Sequence, residues 1–242
     1  GYAYQHIQAG VQPMFLVGGV DSAITPGIIK GSTLLRALTQ SWNQEPERAS
    51  RPFSADRDGF VIAEGSWMFI LEDFEHARAR GARVHAEITG YASTCEAFHR
   101  VRMSDSPEEP ARAITLALQE AGLAPQDIQY VNLHGTSTEM NDRVETRALK
   151  LALGGRAGKI PMSGLKSQIG HAQGACGSAS LAATLTAMEH GKIPPTINLD
   201  APDPECDLDY VPDPGRKAEI EHAICNCVGF GSKNSVLVLK HL

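Results

Sequence analysis

At 242 residues, with 42% hydrophobic and 21% charged side chains, the chain can bury a sizeable core and has the composition of an ordinary globular protein. A formal net charge of −6 gives no overall basic footprint for nucleic acid, so no nucleic-acid partner is expected. No apolar run is long enough to span a bilayer. The five cysteines, Cys95, Cys176, Cys206, Cys225 and Cys227, are odd in number and irregular in spacing, which argues against a disulfide framework. They read as small, buried, reduced side chains, and a cytoplasmic setting fits. Cys225-Asn226-Cys227 is not a zinc spacing, and no metal is expected.

In chain order, the first ten residues read as the back end of a helix closed by Gly10. They carry neither an initiator Met nor a signal-peptide pattern, and further residues are expected before Gly1. Residues 13–19 have a buried-strand pattern ending in glycines. Residues 27–39 have helical apolar spacing, with Pro26 near the start. Residues 40–58 are polar, with Pro46 and Pro52, and predict loop. Residues 59–72 predict a hairpin broken around Glu64-Gly65-Ser66. A short helix over 73–80 stops at Gly81, and a strand follows over 84–94. Residues 96–105 predict a polar loop. Residues 107–122 form an amphipathic helix with Ser106 as N-cap and Gly122 as C-cap. Strands are predicted over 128–133 and 160–163, and a helix over 142–153. The Ala-rich helix over 175–189, closed by Gly191, is expected to be buried because its small residues allow close packing. Two last strands, 223–228 and 235–240, flank the turn 229–234. The alternation indicates α/β layers.

Two stretches stand out: His134-Gly135-Thr136-Ser137-Thr138 and Gly164-Leu165-Lys166-Ser167-Gln168-Ile169-Gly170-His171. Each ends an apolar strand and puts a histidine where the chain turns. Two such imidazoles and a lysine in one crevice suit chemistry on a carbonyl or carboxylate. Imidazole N–H groups can stabilise an oxyanion, and imidazole moves protons near neutral pH.

With these motifs stand Arg51-Pro52-Phe53, Arg57-Asp58-Gly59-Phe60-Val61, Glu64-Gly65, Pro194-Pro195-Thr196-Ile197-Asn198-Leu199, Cys206-Asp207-Leu208-Asp209-Tyr210-Val211-Pro212 and Gly229-Phe230-Gly231 with Asn234. In this order they resemble the C-terminal part of β-ketoacyl-acyl-carrier-protein synthases of the elongating type, across nearly the whole chain. The resemblance implies a thiolase-like α/β fold, layered αβαβα, here with an incomplete N-terminal half. Residues 1–82 would be the distal part of that half and residues 83–242 the C-terminal half. It implies decarboxylative condensation of a malonyl thioester with an acyl chain held as a thioester on a cysteine. That cysteine is expected a few residues before Gly1, and none of the five cysteines present matches its position.

On the same resemblance, His134 and His171 serve decarboxylation and condensation. Lys166 lies beside them in a network with Glu145, and Asp142 supports it, although an acidic residue at a helix start also complements the helix dipole. Phe230 gates the acyl site and gives its backbone N–H to an oxyanion hole; Ser232-Lys233 depart from the family pattern and put the mobility of that turn in question. Thr136 and Thr138 contact a phosphopantetheine arm that arrives on an acyl carrier protein, so the chain needs no cofactor of its own. Arg36 and Arg102, with His99 in the basic loop 96–102, are candidate carrier-protein contacts. A homodimer or a ketosynthase heterodimer is expected. The alternatives are a chain-length-factor-like non-catalytic partner subunit and a non-enzymatic carrier-protein-binding fragment. The retained His134, Lys166 and His171 argue against the former.

Overall fold

A computed structural model describes all 242 residues. Its centre is a mixed five-stranded sheet in the order β3-β9-β8-β4-β5, made of β3 (Ala86–Cys95), β4 (Tyr130–Asn132), β5 (Met162–Ser163), β8 (His222–Gly229) and β9 (Lys233–His241). β9 runs antiparallel to both β3 and β8, while β8, β4 and β5 run parallel. The parallel pairs require crossovers, and helices supply them.

Side chains alternate across these strands, and that period of two separates two cores. Val131, Ile224, Val236 and Val238 face one side, where α4 (Glu108–Ala121) and α5 (Glu139–Leu153) pack Ile114, Leu118 and Leu149 against them. Tyr130, Ala223, Cys225 and Leu239 face the other, against Ala187 and Met188 of α7 (Cys176–His190). Gly90 lets α4 sit close on β3, since a Cβ there would lie 2.2 Å from the Ala117 carbonyl oxygen.

Beyond α7 lies a second sheet, the antiparallel ribbon of β1 (Met14–Asp21) and β2 (Gly65–Glu72). The helix α1 (Tyr2–Gln8) contacts both its strands. A short pair, β6 (Lys192–Ile193) with β7 (Arg216–Lys217), closes the far end. Helix, sheet, helix and sheet thus follow one another, four successive layers of the expected αβαβα order. The outer face of the ribbon is uncovered, with Leu16 67% and Val20 73% exposed. The strand expected to be buried over 13–19 is therefore buried on one face only.

Other expectations need correction. The helix expected over 27–39 is α2 (Pro26–Leu34), capped by the Thr25 side chain and ended by Arg36 in the left-handed region at φ 55°. Residues 37–39 are then drawn onto Phe60, whose N–H donates to the Ala37 carbonyl at 2.9 Å. For the same reason 59–72 is not a hairpin: only β2 is a strand of it, and 60–63 turns inward. The helix at 73–80 is α3 (Phe74–Ala79), capped by Asp73. For α4 the N-cap position falls on Pro107, but Ser106 Oγ still accepts the Glu108 N–H at 3.3 Å. α5 begins three residues before the expected Asp142, which brings Asp142 inside its first turn. All five cysteines are free, but Cys95 is exposed rather than buried.

Candidate active site

β4 ends at Asn132, and the chain turns through His134-Gly135-Thr136 into α5. The turn is held by two buried carboxylates of α5. Glu145 accepts the N–H of His134 at 2.7 Å, the N–H of Gly135 at 2.8 Å and Asn226 Nδ2 at 2.6 Å. Asp142 accepts the N–H of Thr136 at 3.1 Å and that of Phe53 at 2.9 Å, and pairs with Arg57 at 3.3 Å. Burial pushes both carboxyls up, against the pull of these donors. The acidic helix start does more than complement a dipole: its carboxylates fold the histidine turn. Arg57 also donates to the Thr138 and Glu139 carbonyls, at 3.3 and 3.0 Å, and so braces the turn from outside.

His171 is placed by a different device. A one-turn helix, α6 (Lys166–Ile169), ends at Gly170 with φ +73°. A Cβ there would stand 3.0 Å from the Val61 carbonyl oxygen, so glycine lets the two segments approach. The His171 N–H donates to that oxygen at 2.7 Å, and the Ala63 N–H returns to the His171 carbonyl at 3.0 Å. The inward run 60–63 is thus the rail on which His171 sits, with Phe60 5.1 Å from its ring.

The expected histidines meet. Their ring centroids stand 5.6 Å apart, edge to face. Lys166 Nζ donates to the His134 carbonyl at 2.5 Å and approaches His134 Nδ1 at 3.5 Å. It therefore reaches His134 rather than Glu145, because the Glu145 oxygens are taken by backbone and asparagine donors. Burial and the Lys166 charge hold His171 down at about 3, and burial with Lys166 and His171 holds His134 well below the usual imidazole range. Both rings are neutral near pH 7. His171 Nδ1 accepts the Gln173 N–H at 3.0 Å, and His134 Nδ1 faces the Lys166 donor. The Gln173 contact puts the His171 proton on Nε2, and the matching tautomer of His134 leaves its Nδ1 to accept from Lys166 and its Nε2–H to donate.

Two thiols that sequence spacing passes over lie behind His134. Cys176 Sγ, at the start of α7, is 3.8 Å from Cys227 Sγ on β8, and Cys227 Sγ is 3.7 Å from His134 Nδ1. The hydrogen bond between the thiols, aided by Lys166, lowers Cys176 to about 6, and the same bond together with burial pushes Cys227 up.

Thr136 and Thr138 share a hydrogen bond at 2.8 Å at the mouth of the turn. Phe230 is exposed in the β8–β9 turn, following Cys227 by three residues. The departure at Ser232 has a structural consequence: its Oγ donates to the His99 carbonyl at 3.0 Å, and the Gly231 N–H donates to the Arg100 carbonyl at 2.9 Å. The turn is tied to the loop 96–102. Within that loop His99 Nδ1 accepts the N–H groups of Val101 and Arg102. Arg36 and Arg102 are exposed on separate segments, and neither makes an ion pair. A separate cavity lies between α1, the ribbon and α7, and is lined by neither His134 nor His171.

The Lys166 charge carries a test. Removing it in Lys166→Met relieves a repulsion that keeps both imidazoles neutral, so both become easier to protonate. The acid limb of any His134- and His171-dependent rate should move to higher pH in the variant. An unmoved limb in a pH–rate profile would show that burial alone keeps the rings neutral.

Layered α/β architecture with two facing neutral imidazoles over a buried lysine defines a thiolase-like protein. The chain belongs to the beta-ketoacyl synthase family. Residues 1–77 match the model of the beta-ketoacyl synthase N-terminal domain, and residues 85–200 that of the C-terminal domain. It is 46% identical over 240 residues to 3-oxoacyl-[acyl-carrier-protein] synthase 2 of Synechocystis sp., covering 99% of this chain and 58% of that protein. It is 44% identical over 239 residues to the tetracenomycin polyketide synthase ketoacyl synthase alpha subunit of Streptomyces glaucescens, covering 99% of this chain and 56% of that one. Among solved structures, a type II polyketide acyl-carrier protein in complex with its hexaketide-bound ketosynthase superposes with a TM-score of 0.97 at 39% identity, over 100% of this chain and 59% of that one. The chain spans somewhat more than half the length of these relatives. No helix is long and apolar enough to cross a membrane.

Proposed function

We propose that this chain supplies the decarboxylation half of a β-ketoacyl-acyl-carrier-protein synthase. The observation that carries the reading is the pair of neutral imidazoles, each with its Nδ1 engaged and its Nε2–H free. Malonyl thioester enters on the phosphopantetheine of an acyl carrier protein. Loss of CO2 leaves an enolate whose charge sits on the thioester oxygen, and the two Nε2–H groups of His134 and His171 donate to it in a site that excludes water. The carbanion carbon then attacks the carbonyl of an acyl chain held as a thioester on a cysteine outside this sequence, and the cysteine thiolate leaves. Lys166 keeps the rings neutral, Glu145 and Asp142 hold the turn, Thr136 and Thr138 meet the pantetheine arm, and Phe230 gives its N–H to the acyl oxyanion. The division of the chain at 82/83, a cytoplasmic location and a homodimer or ketosynthase heterodimer belong to the same reading.

The test is release of labelled CO2 from malonyl-carrier protein by the intact protein, with formation of the β-ketoacyl product. Absence of both would return the chain to the role of a chain-length-factor-like partner.

The carrier protein is acidic in this reading, and Arg36 with the loop 96–102 offers unpaired positive charge on an otherwise acidic surface. Electrostatic steering of this kind is screened beyond about 10 Å at 0.1 M salt. Arg36→Glu with Arg102→Glu should weaken carrier binding severalfold at low ionic strength and much less at high. Equal affinity at low salt, by calorimetry or surface binding, would remove these residues from the docking face.

A further inference from the structure

We propose that Cys176, Cys227 and His134 form a three-ligand site for a thiophilic divalent cation of the zinc class, held through the two Sγ atoms and Nδ1. These ligand atoms all lie within 4.8 Å of one another. The sulfurs are 3.8 Å apart, and Cys227 Sγ is 3.7 Å from Nδ1. Around a tetrahedral ion with metal–sulfur bonds of about 2.3 Å and metal–nitrogen bonds of about 2.0–2.1 Å, two sulfurs stand about 3.8 Å apart, and a sulfur and a nitrogen about 3.5 Å. Two edges of the cluster match one face of that tetrahedron, and the third, Cys176 Sγ to His134 Nδ1, is within 4.8 Å. The 3.8 Å between the sulfurs is far longer than the roughly 2.05 Å of a covalent S–S bond, and both thiols are free.

The three ligands come from separate segments: the end of β4, the first residue of α7, and β8. They are pre-positioned by the fold, with Cys176 and His134 buried and Cys227 half-buried. Two thiolates cancel the charge of the ion, so Lys166 faces a neutral centre rather than a second cation, and any proton still on the thiols leaves on binding. Three protein ligands leave the fourth position for water or another donor. The ion takes Nδ1 of His134 and leaves its Nε2–H in place. The site is thus distinct from the donor used in the proposed condensation, and it ties α7 to β8 and the histidine turn.

Cobalt(II) is the probe, added to the reduced purified protein. A single equivalent should bring up a near-ultraviolet thiolate-to-cobalt charge-transfer band and the visible bands of four-coordinate cobalt. Zinc should displace the cobalt and raise the melting temperature, as any ligand selective for the folded state does. The charge-transfer band should fall by about half in Cys176→Ser or Cys227→Ser, as one of two sulfur ligands is removed. It should vanish in the double variant and persist in Cys95→Ser. No band at stoichiometric cobalt, or a band retained in the folded double variant, overturns the site. Should the double variant not fold, X-ray absorption of the zinc-loaded parent protein decides: a shell with two sulfurs supports the site, and one without sulfur overturns it.

Discussion

In the intact protein, His171→Ala is expected to lose malonyl decarboxylation while acyl transfer to the enzyme's cysteine largely survives. The two half-reactions build negative charge in different places. Acylation places its oxyanion against backbone N–H groups, among them that of Phe230 in the proposed mechanism. In the same proposed mechanism, decarboxylation places its enolate against the two imidazoles, whose rings meet edge to face at 5.6 Å. Removing one preorganised donor of this kind costs about 3–4 kcal/mol, roughly a hundred- to a thousandfold in rate. Labelled CO2 release and labelled acyl-enzyme formation, measured separately on the same preparation, read the two steps. The substitution also loses the acceptor for the Gln173 N–H, so the structural alternative makes its own forecast. If His171 only shapes the turn, both half-reactions fall together. If it is idle, neither does. Only a split between them supports the enolate donor.

The histidine motifs were legible because each lies where an apolar strand stops, and strand ends of an α/β layer open onto common crevices. What brings the two rings together was not legible. The rail under His171 is a parallel bridge from Ile62, a segment whose sequence alternates like a hairpin arm and gives no sign that it turns inward. Its cause lies in Arg36, which ends α2 in a left-handed conformation that its residue type does not announce, and frees residues 37–39 to hold Phe60. Arg57 was visible as part of a motif, yet its work on the Thr138 and Glu139 carbonyls depends on a fold that brings residues 57 and 138 together. Cys176 and Cys227 are a pair only because α7 packs on β8; along the chain neither spacing nor neighbours mark them. Local chemistry was readable, and long-range juxtaposition was not. The same limit applies to Lys166: its network with Glu145 runs through the His134 backbone, whose carbonyl takes the Lys166 ammonium and whose N–H goes to Glu145. Glu145 is the acidic residue nearest in the motif, but it is already filled by donors from its own turn and from Asn226.

That filling gives the largest expected effect on stability. Glu145 is 1% exposed and gathers the N–H groups of His134 and Gly135, the Asn226 amide at 2.6 Å and the Asn141 amide at 3.4 Å. In Glu145→Ala the His134, Gly135 and Asn226 donors remain buried with no acceptor, while the Asn141 amide keeps Asp142 Oδ1 at 3.1 Å. Each unsatisfied buried donor costs about 1–3 kcal/mol, and removing one partner of a buried charged network costs about 3–5 kcal/mol in all. For a domain of this size, where 1 kcal/mol moves the midpoint by about 2–4 °C, the melting temperature should fall by roughly 10 °C or more. Glu145→Gln separates the contributions. Its amide keeps one carbonyl oxygen for two of the donors but sets an NH2 group against the others, so it should fall between the parent and the alanine variant. Glu145→Ala should also loosen the His134 turn, and the exchange of the His134 and Gly135 amides with solvent deuterium reads that directly. If Glu145→Ala melts within a degree or two of the parent and those amides stay protected, the carboxylate is not what folds the turn. The placement of His134 would then rest on Lys166 and Asp142.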